Sequence, residues 1–128
     1  MDDGDGVRAI ARPLRSDADL DPLLERIGDA RIVLLGEASH GTAEFYAWRD
    51  RLTRRLAAEH GAGFVAVEGD WPDCHRVHRA VTGEADVNEA LRGYDRWPTW
   101  MWANTAIREF ARWLREHNGT SRVDRCRL

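Results

Sequence analysis

Two short apolar runs, R-I-V-L-L at 31–35 and G-F-V-A-V-E-G at 63–69, constrain the fold most. Continuous apolar runs of this length, without alternation, are expected of strands covered on both faces. Between them lies an amphipathic stretch, about 43–60, with Phe45, Trp48, Leu52 and Leu56 at helical spacing and Gly61 and Gly63 beyond it. The expectation is a strand–helix–strand unit with parallel strands, an α/β fold whose crossover is right-handed. A two-stranded parallel sheet is too small to stand alone. The chain is therefore expected to be the front part of a larger α/β domain.

The flanks fill in the organisation. Residues 1–16 are polar and glycine-bearing and read as a flexible lead-in. D-L-D-P-L-L-E-R-I-G predicts a short helix with Pro22 in its first turn, Leu23, Leu24 and Ile27 on its buried face, and Gly28 as its stop. After Asp70-Trp71-Pro72 a helix with Cys74, Val77, His78 and Val81 on its inner stripe is expected to run to about Gly83. Residues 86–93 predict a short helix and 98–117 a long one, carrying Ala103, Ile107, Phe110 and Leu114 along one face. The body spans 17–117, and 118–128 reads as a frayed tail.

Composition excludes several function classes. Nineteen basic residues against twenty-two acidic ones give a net charge of −3, which offers no nucleic-acid footprint. Every basic residue is arginine, so neither a Schiff-base lysine nor a phosphate-loop lysine exists. Cys74 and Cys126 form no disulfide framework or zinc pattern and suit a reducing compartment. The N-terminus lacks the apolar core of a signal peptide, and no stretch approaches a membrane span. A soluble cytoplasmic protein, bound to neither membrane nor nucleic acid, is the expectation. Oligomeric state is not legible.

Chemistry concentrates where the apolar runs turn polar. In open parallel sheets functional groups gather beyond the carboxyl ends of the strands. Here Glu37, His40, Glu68 and Asp70 would converge on one rim. His40 is the natural general base, with Glu37 three residues earlier to fix its tautomer. Glu68 directly follows F-V-A-V, and a carboxylate there must be paired or sit at an opening. Arg49 borders the inner face of its helix and could pair with Glu37 or Glu68, or hold an oxyanion.

Each of these has a plainer reading: a solvated turn histidine, a helix-capping Glu37, an Arg49 whose stem lies on the core. Three such groups at one rim favour the functional reading. G-E-A-S-H-G has a phosphate-loop frame, but Thr42 follows where lysine is needed. The spacing G-x-x-S-x-G is one residue too long for a nucleophile elbow, which leaves Ser39 as a turn former or helix cap. His75 and His78 at i,i+3 could bind a metal with Asp70 or Glu68. Trp97, Trp100 and Trp102 could line an apolar pocket or serve as core.

I-V-L-L-G-E-A-S-H-G-T-A-E-F-Y at 32–46, A-V-E-G-D-W-P-D at 66–73 and R-W-P-T-W-M-W-A-N-T at 96–105 resemble the opening third of the erythromycin esterase family. The likeness runs from about residue 30 to 117, in the family's order and spacing. It implies hydrolysis of a small-molecule ester, a macrolactone in the best-known members, by an activated water with neither serine nucleophile nor required metal. No cofactor is implied. By position, His40 resembles the general base, and Glu37, Arg49 and Glu68 resemble the surrounding catalytic and orienting residues. Trp71 and Trp100, within the quoted motifs, are the expected substrate-binding aromatics. The family also implies a further histidine from a later portion, and nothing after His117 resembles that continuation. A truncated hydrolase is thus the leading expectation. An inactive fragment and a metal-dependent hydrolase using Glu37, His40, Glu68, His75 and His78 are the alternatives.

Overall fold

Helices satisfy their own backbone hydrogen bonds, whereas extended segments need a neighbour. The computed structural model, which describes residues 3–96, 98–120 and 127–128, divides along that line. Contacts separate the chain into two units, Met1–Val33 and Leu34–Leu128.

In the first unit, α1 spans Asp3–Ile10, where the sequence predicts only a lead-in, and it leaves Val7 and Ile10 exposed. A single 3₁₀ turn, Asp17–Leu20, follows. The Asp19 carboxylate accepts from the backbone N–H groups of Arg15 at 2.8 Å and Ser16 at 2.7 Å. Those two donors hold its carboxyl below the usual carboxylate range. Helix α2, Asp21–Ile27, has Pro22 in its first turn. It ends as predicted at Gly28, whose φ of +50° suits glycine and whose N–H donates to Leu24 O at 3.0 Å. Leu20 and Leu24 are buried, but Leu23 is exposed.

The second unit is built on α3 (Ala43–Glu59), α4 (Trp71–Val81), α5 (Val87–Arg92), α6 (Thr99–Trp102) and α7 (Thr105–Thr120). Helix α4 packs on α5 and α7, and α7 packs on α3. Their shared core is Ala57 from α3, Val77, Ala80 and Val81 from α4, Val87, Ala90 and Leu91 from α5, Tyr94, and Phe110, Ala111 and Leu114 from α7. The helical spacings in the sequence anticipate Val77, Val81, Phe110 and Leu114 among these positions; the alanines, the α5 residues and Tyr94 were not placed by them. Asp70 and Asp86 cap α4 and α5 by accepting from Asp73 N and Glu89 N.

The long helix expected over 98–117 is two helices. Asn104 makes the break: its amide donates to the carbonyls of Trp100 and Met101, and its oxygen accepts from Ile107 N at 3.0 Å. One side chain thus closes α6 and opens α7. Ala103, expected on the inner face, is exposed at this break. Asn118, where the tail is expected to begin, lies in the last turn of α7, buried, and donates to Val81 O at 2.9 Å.

The expected α/β class is not what forms. Among the described residues there is no strand and no sheet; the fold class is helical. Residues 34–37 and 65–67, where strands were expected, form neither helix nor strand. One isolated parallel bridge joins Phe64 to Arg127, with Val65 N donating to Arg127 O at 2.7 Å and Arg127 N to Gly63 O at 3.0 Å. Only alternate residues of the second run turn inward. Val65 and Val67 are half-buried, while Phe64 is 66 % and Leu34, in the first run, 90 % exposed. Apolar composition suggested cover on both faces; the described residues supply cover on one face and almost no backbone partner, so no sheet assembles. Trp97 and residues 121–126, including Cys126, lie outside the described residues.

Candidate functional site

The site begins at a tight turn. Residues 34–37 form neither helix nor strand, and Gly41 takes φ +79°, a left-handed conformation that favours glycine. Ser39 and Thr42 pair through their hydroxyls at 3.0 Å, so Ser39 acts as a turn former at the mouth of α3. Gly41 also has no room for a side chain. A Cβ built there would lie 3.0 Å from the Trp100 ring.

Within this turn Glu37 is held from two sides. One carboxylate oxygen pairs with His40 Nδ1, and the other accepts from the Arg49 guanidinium, which comes from α3. Sequence spacing predicts the first pair and leaves Arg49 a choice between Glu37 and Glu68; the fold selects Glu37. A histidine whose Nδ1 is tied to a carboxylate has its tautomer fixed, leaving Nε2 for proton transfer.

His40 and Glu68 line the same cavity, of about 350 Å³, together with Gly69, Asp70, Asp73, Tyr94, Arg96, Pro98, Trp100, Met101 and Trp102. The convergence expected of two strand ends is therefore present without the sheet. The loops after the two runs bring it about, set by α3, α4 and the α6 turn. Arg96 donates to Asp70 at 3.3 Å across the rim. Tyr46 of α3 ties the cavity's far wall in place by donating to Met101 O at 2.8 Å. Burial, and then the negative charge of Glu37, raise the Tyr46 phenol above its ordinary pKa. Burial likewise raises Tyr94, as does the Cys74 thiol, whose Sγ is 3.7 Å from its hydroxyl.

The tryptophans divide. Trp100 and Trp102 line the cavity; Trp97 lies outside the described residues. Trp71, expected to bind substrate, is not part of the lining. It is 75 % exposed and stacks on His75 at 5.4 Å, which in turn stacks on His78 at 6.0 Å. No group of three or more His, Cys, Asp or Glu residues able to hold a metal occurs among the described residues.

Sequence reasoning missed Asp73, Tyr94 and Arg96. The spacing Asp70-x-x-Asp73 was a usable signal: with Asp70 capping α4, Asp73 comes one turn later on the same side. Tyr94 and Arg96 follow a short helix and precede a proline, and nothing local marks them.

The erythromycin esterase family model matches residues 57–127. A protein of Bacillus cereus known from its crystal structure is 27 % identical and superposes with a TM-score of 0.77 over 96 % of this chain. This chain spans 30 % of that protein's length.

Proposed function

The chain belongs to the erythromycin esterase family, and on that premise we propose that its cavity hydrolyses an uncharged carboxylic ester by histidine-activated water. One observation carries the proposal. The Glu37 carboxylate is shared between His40 Nδ1 and Arg49, while His40 and Glu68 line one cavity. A carboxylate on Nδ1 supports an imidazolium, as a general base requires once it has taken a proton.

In this mechanism His40 Nε2 removes a proton from water as the oxygen attacks the ester carbonyl, and returns it to the alkoxide oxygen as the tetrahedral adduct collapses and the acyl C–O bond breaks. Glu37 orients the ring and offsets the charge that develops on it. Arg49 is a positioning residue: it holds the second oxygen of Glu37 and acts through that carboxylate. Glu68 accepts a hydrogen bond from the attacking water or from a substrate hydroxyl, since an anion there cannot stabilise an oxyanion. Arg96 is the cation available on the cavity wall to the developing negative charge. Trp100 lies against the acyl part. No helix among the described residues is long and apolar enough to cross a membrane, and the free thiol of Cys74 suits the reducing cytoplasm as the working compartment. A macrolactone is one candidate among esters of this class.

The test is hydrolysis of a panel of simple esters and macrolides by the full chain and by His40→Gln. The expected loss in the variant is about a hundredfold or more. Undiminished turnover removes His40 as the base, and no turnover of any ester by the native chain removes the activity from this chain.

A further inference from the structure

Glu68 is proposed to face the attacking water, yet among the described residues no hydrogen bond or ion pair holds its side chain. Glu37, by contrast, is held at both oxygens. What places Glu68 therefore acts through its backbone, and the next residue is where that backbone is gripped. A Cβ built on Gly69 would lie 2.5 Å from Cys74 Sγ and 3.2 Å from Trp102 Nε1, the closest such approach at any described glycine. Gly69 is not among the glycines at positive φ, so its lack of a side chain answers a need for space and not for an unusual backbone.

Both groups that meet Gly69 are themselves fixed. Cys74 lies in the first turn of α4, its N–H donates to Asp70 O at 2.9 Å, and its Sγ is 3.7 Å from the hydroxyl of the core residue Tyr94. Trp102 ends α6 and packs against the same core. Asp70, on the far side of Gly69, caps α4 by accepting from Asp73 N and pairs with Arg96. With Asp70 anchored, a side chain at position 69 displaces the chain on the Glu68 side.

We infer that Gly69 is a positioning residue of this site: with Cys74 in the space its side chain would take, it fixes the backbone that carries Glu68 into the cavity. This rests on the esterase reading and deepens it by naming what holds the second carboxylate. Gly69 and Cys74 are a pair matched in size, and Cys74 acts by the bulk of its sulfur alone. A shift of Glu68 by about 1 Å spoils the alignment of the water it orients, and misplacement of that order costs about a hundredfold in rate.

The experiment is a pair of double-variant cycles on ester hydrolysis by the full chain, each variant assayed where circular dichroism shows it folded. Gly69→Ala is expected to lower kcat about tenfold to a hundredfold and to change KM less than about threefold, because Pro98, Trp100 and Met101 still supply the apolar wall. In a Cys74→Ala background, where the sulfur that meets the new methyl is gone, the same substitution should cost less than about threefold. In a Glu68→Gln background, which keeps an acceptor oxygen and a residual rate, it should also cost less than about threefold, since the group it acts through is already altered. A glycine needed only for the fold would give its full loss there. Unimpaired turnover in Gly69→Ala, an unreduced loss in either background, or undiminished turnover in Glu68→Gln each overturns the inference. If Gly69→Ala does not fold, Gly69→Ala/Cys74→Ala is compared with Cys74→Ala: rates within about threefold support the pair, and any larger loss overturns it. No turnover by the native chain ends the esterase reading and this inference together, whereas undiminished hydrolysis by His40→Gln removes the base and leaves both cycles readable.

Discussion

The inner faces of helices α3, α4, α5 and α7 and the runs that lead to Glu37 and Glu68 are both apolar in sequence, yet they end in opposite conditions. Leu114 in α7 and Val81 in α4 are fully buried, while Leu34 and Phe64 in the runs are 90 % and 66 % exposed. Helix backbones are complete in themselves, so their apolar faces are free to pack on one another. The runs have a single bridge for their backbone and cover on one face only. Stability therefore resides in the helical core. The site hangs on the ends of the runs and is fixed by side-chain pairs and two tight glycines instead of by a ladder.

The sharpest way to break this comparison is to cut both regions alike. Leu114→Ala should cost about 2–5 kcal/mol in urea unfolding, as a buried leucine does. Leu34→Ser should stay within about 0.5 kcal/mol, as an exposed change does. Comparable losses would mean that the runs carry load in the fold. A smaller effect is expected at the turn. Gly41→Ala forces a left-handed alanine, at about 1–2 kcal/mol, and presses its methyl on the Trp100 ring. Ester affinity should fall with it, while Gly61→Ala, also at positive φ but with open space around it, should lower stability and leave affinity alone. Equal affinities in the two variants would detach the turn from the cavity.

The smallest effect is the response to alkali. Tyr46 and Tyr94 have phenols raised above 10.0, chiefly by burial. A raised pKa means that the folded state keeps the proton longer than the unfolded chain does. Their contribution is thus complete below about pH 10, the ordinary tyrosine value, and is lost as pH rises through the folded values. These are the only tyrosines, and the chain has no lysine to titrate alongside them. Melting temperature should decline above that pH in the native chain and decline less in a Tyr46→Phe/Tyr94→Phe double variant. Identical declines would show that neither phenol senses the fold.

Much of the site was legible because its partners are close in sequence. The Glu37–His40 pair spans three residues of a turn, and turn chemistry fixes its geometry. Arg49 was placed on the correct face by helical periodicity, but its choice of Glu37 was not determined. Trp71 stands apart from the cavity lining because the first turn of α4 lays its ring along the helix surface onto His75. Asn104 shows a similar limit. Its capping chemistry was visible, yet the strong apolar spacing on both sides argued for a continuous helix.

The sequence by itself determined helices α2 to α5, the inward positions Leu52, Leu56, Val77, Val81, Phe110 and Leu114, and the local constellation around His40, since periodicity, caps and short-range hydrogen bonds depend on nearby residues alone. Tertiary structure decided whether the apolar runs became a sheet, which cavity His40 and Glu68 share, and how closely Gly69 meets Cys74 and Trp102. Those outcomes depend on what lies across from a residue in space, and a backbone that must find its partner elsewhere cannot announce it in its own composition.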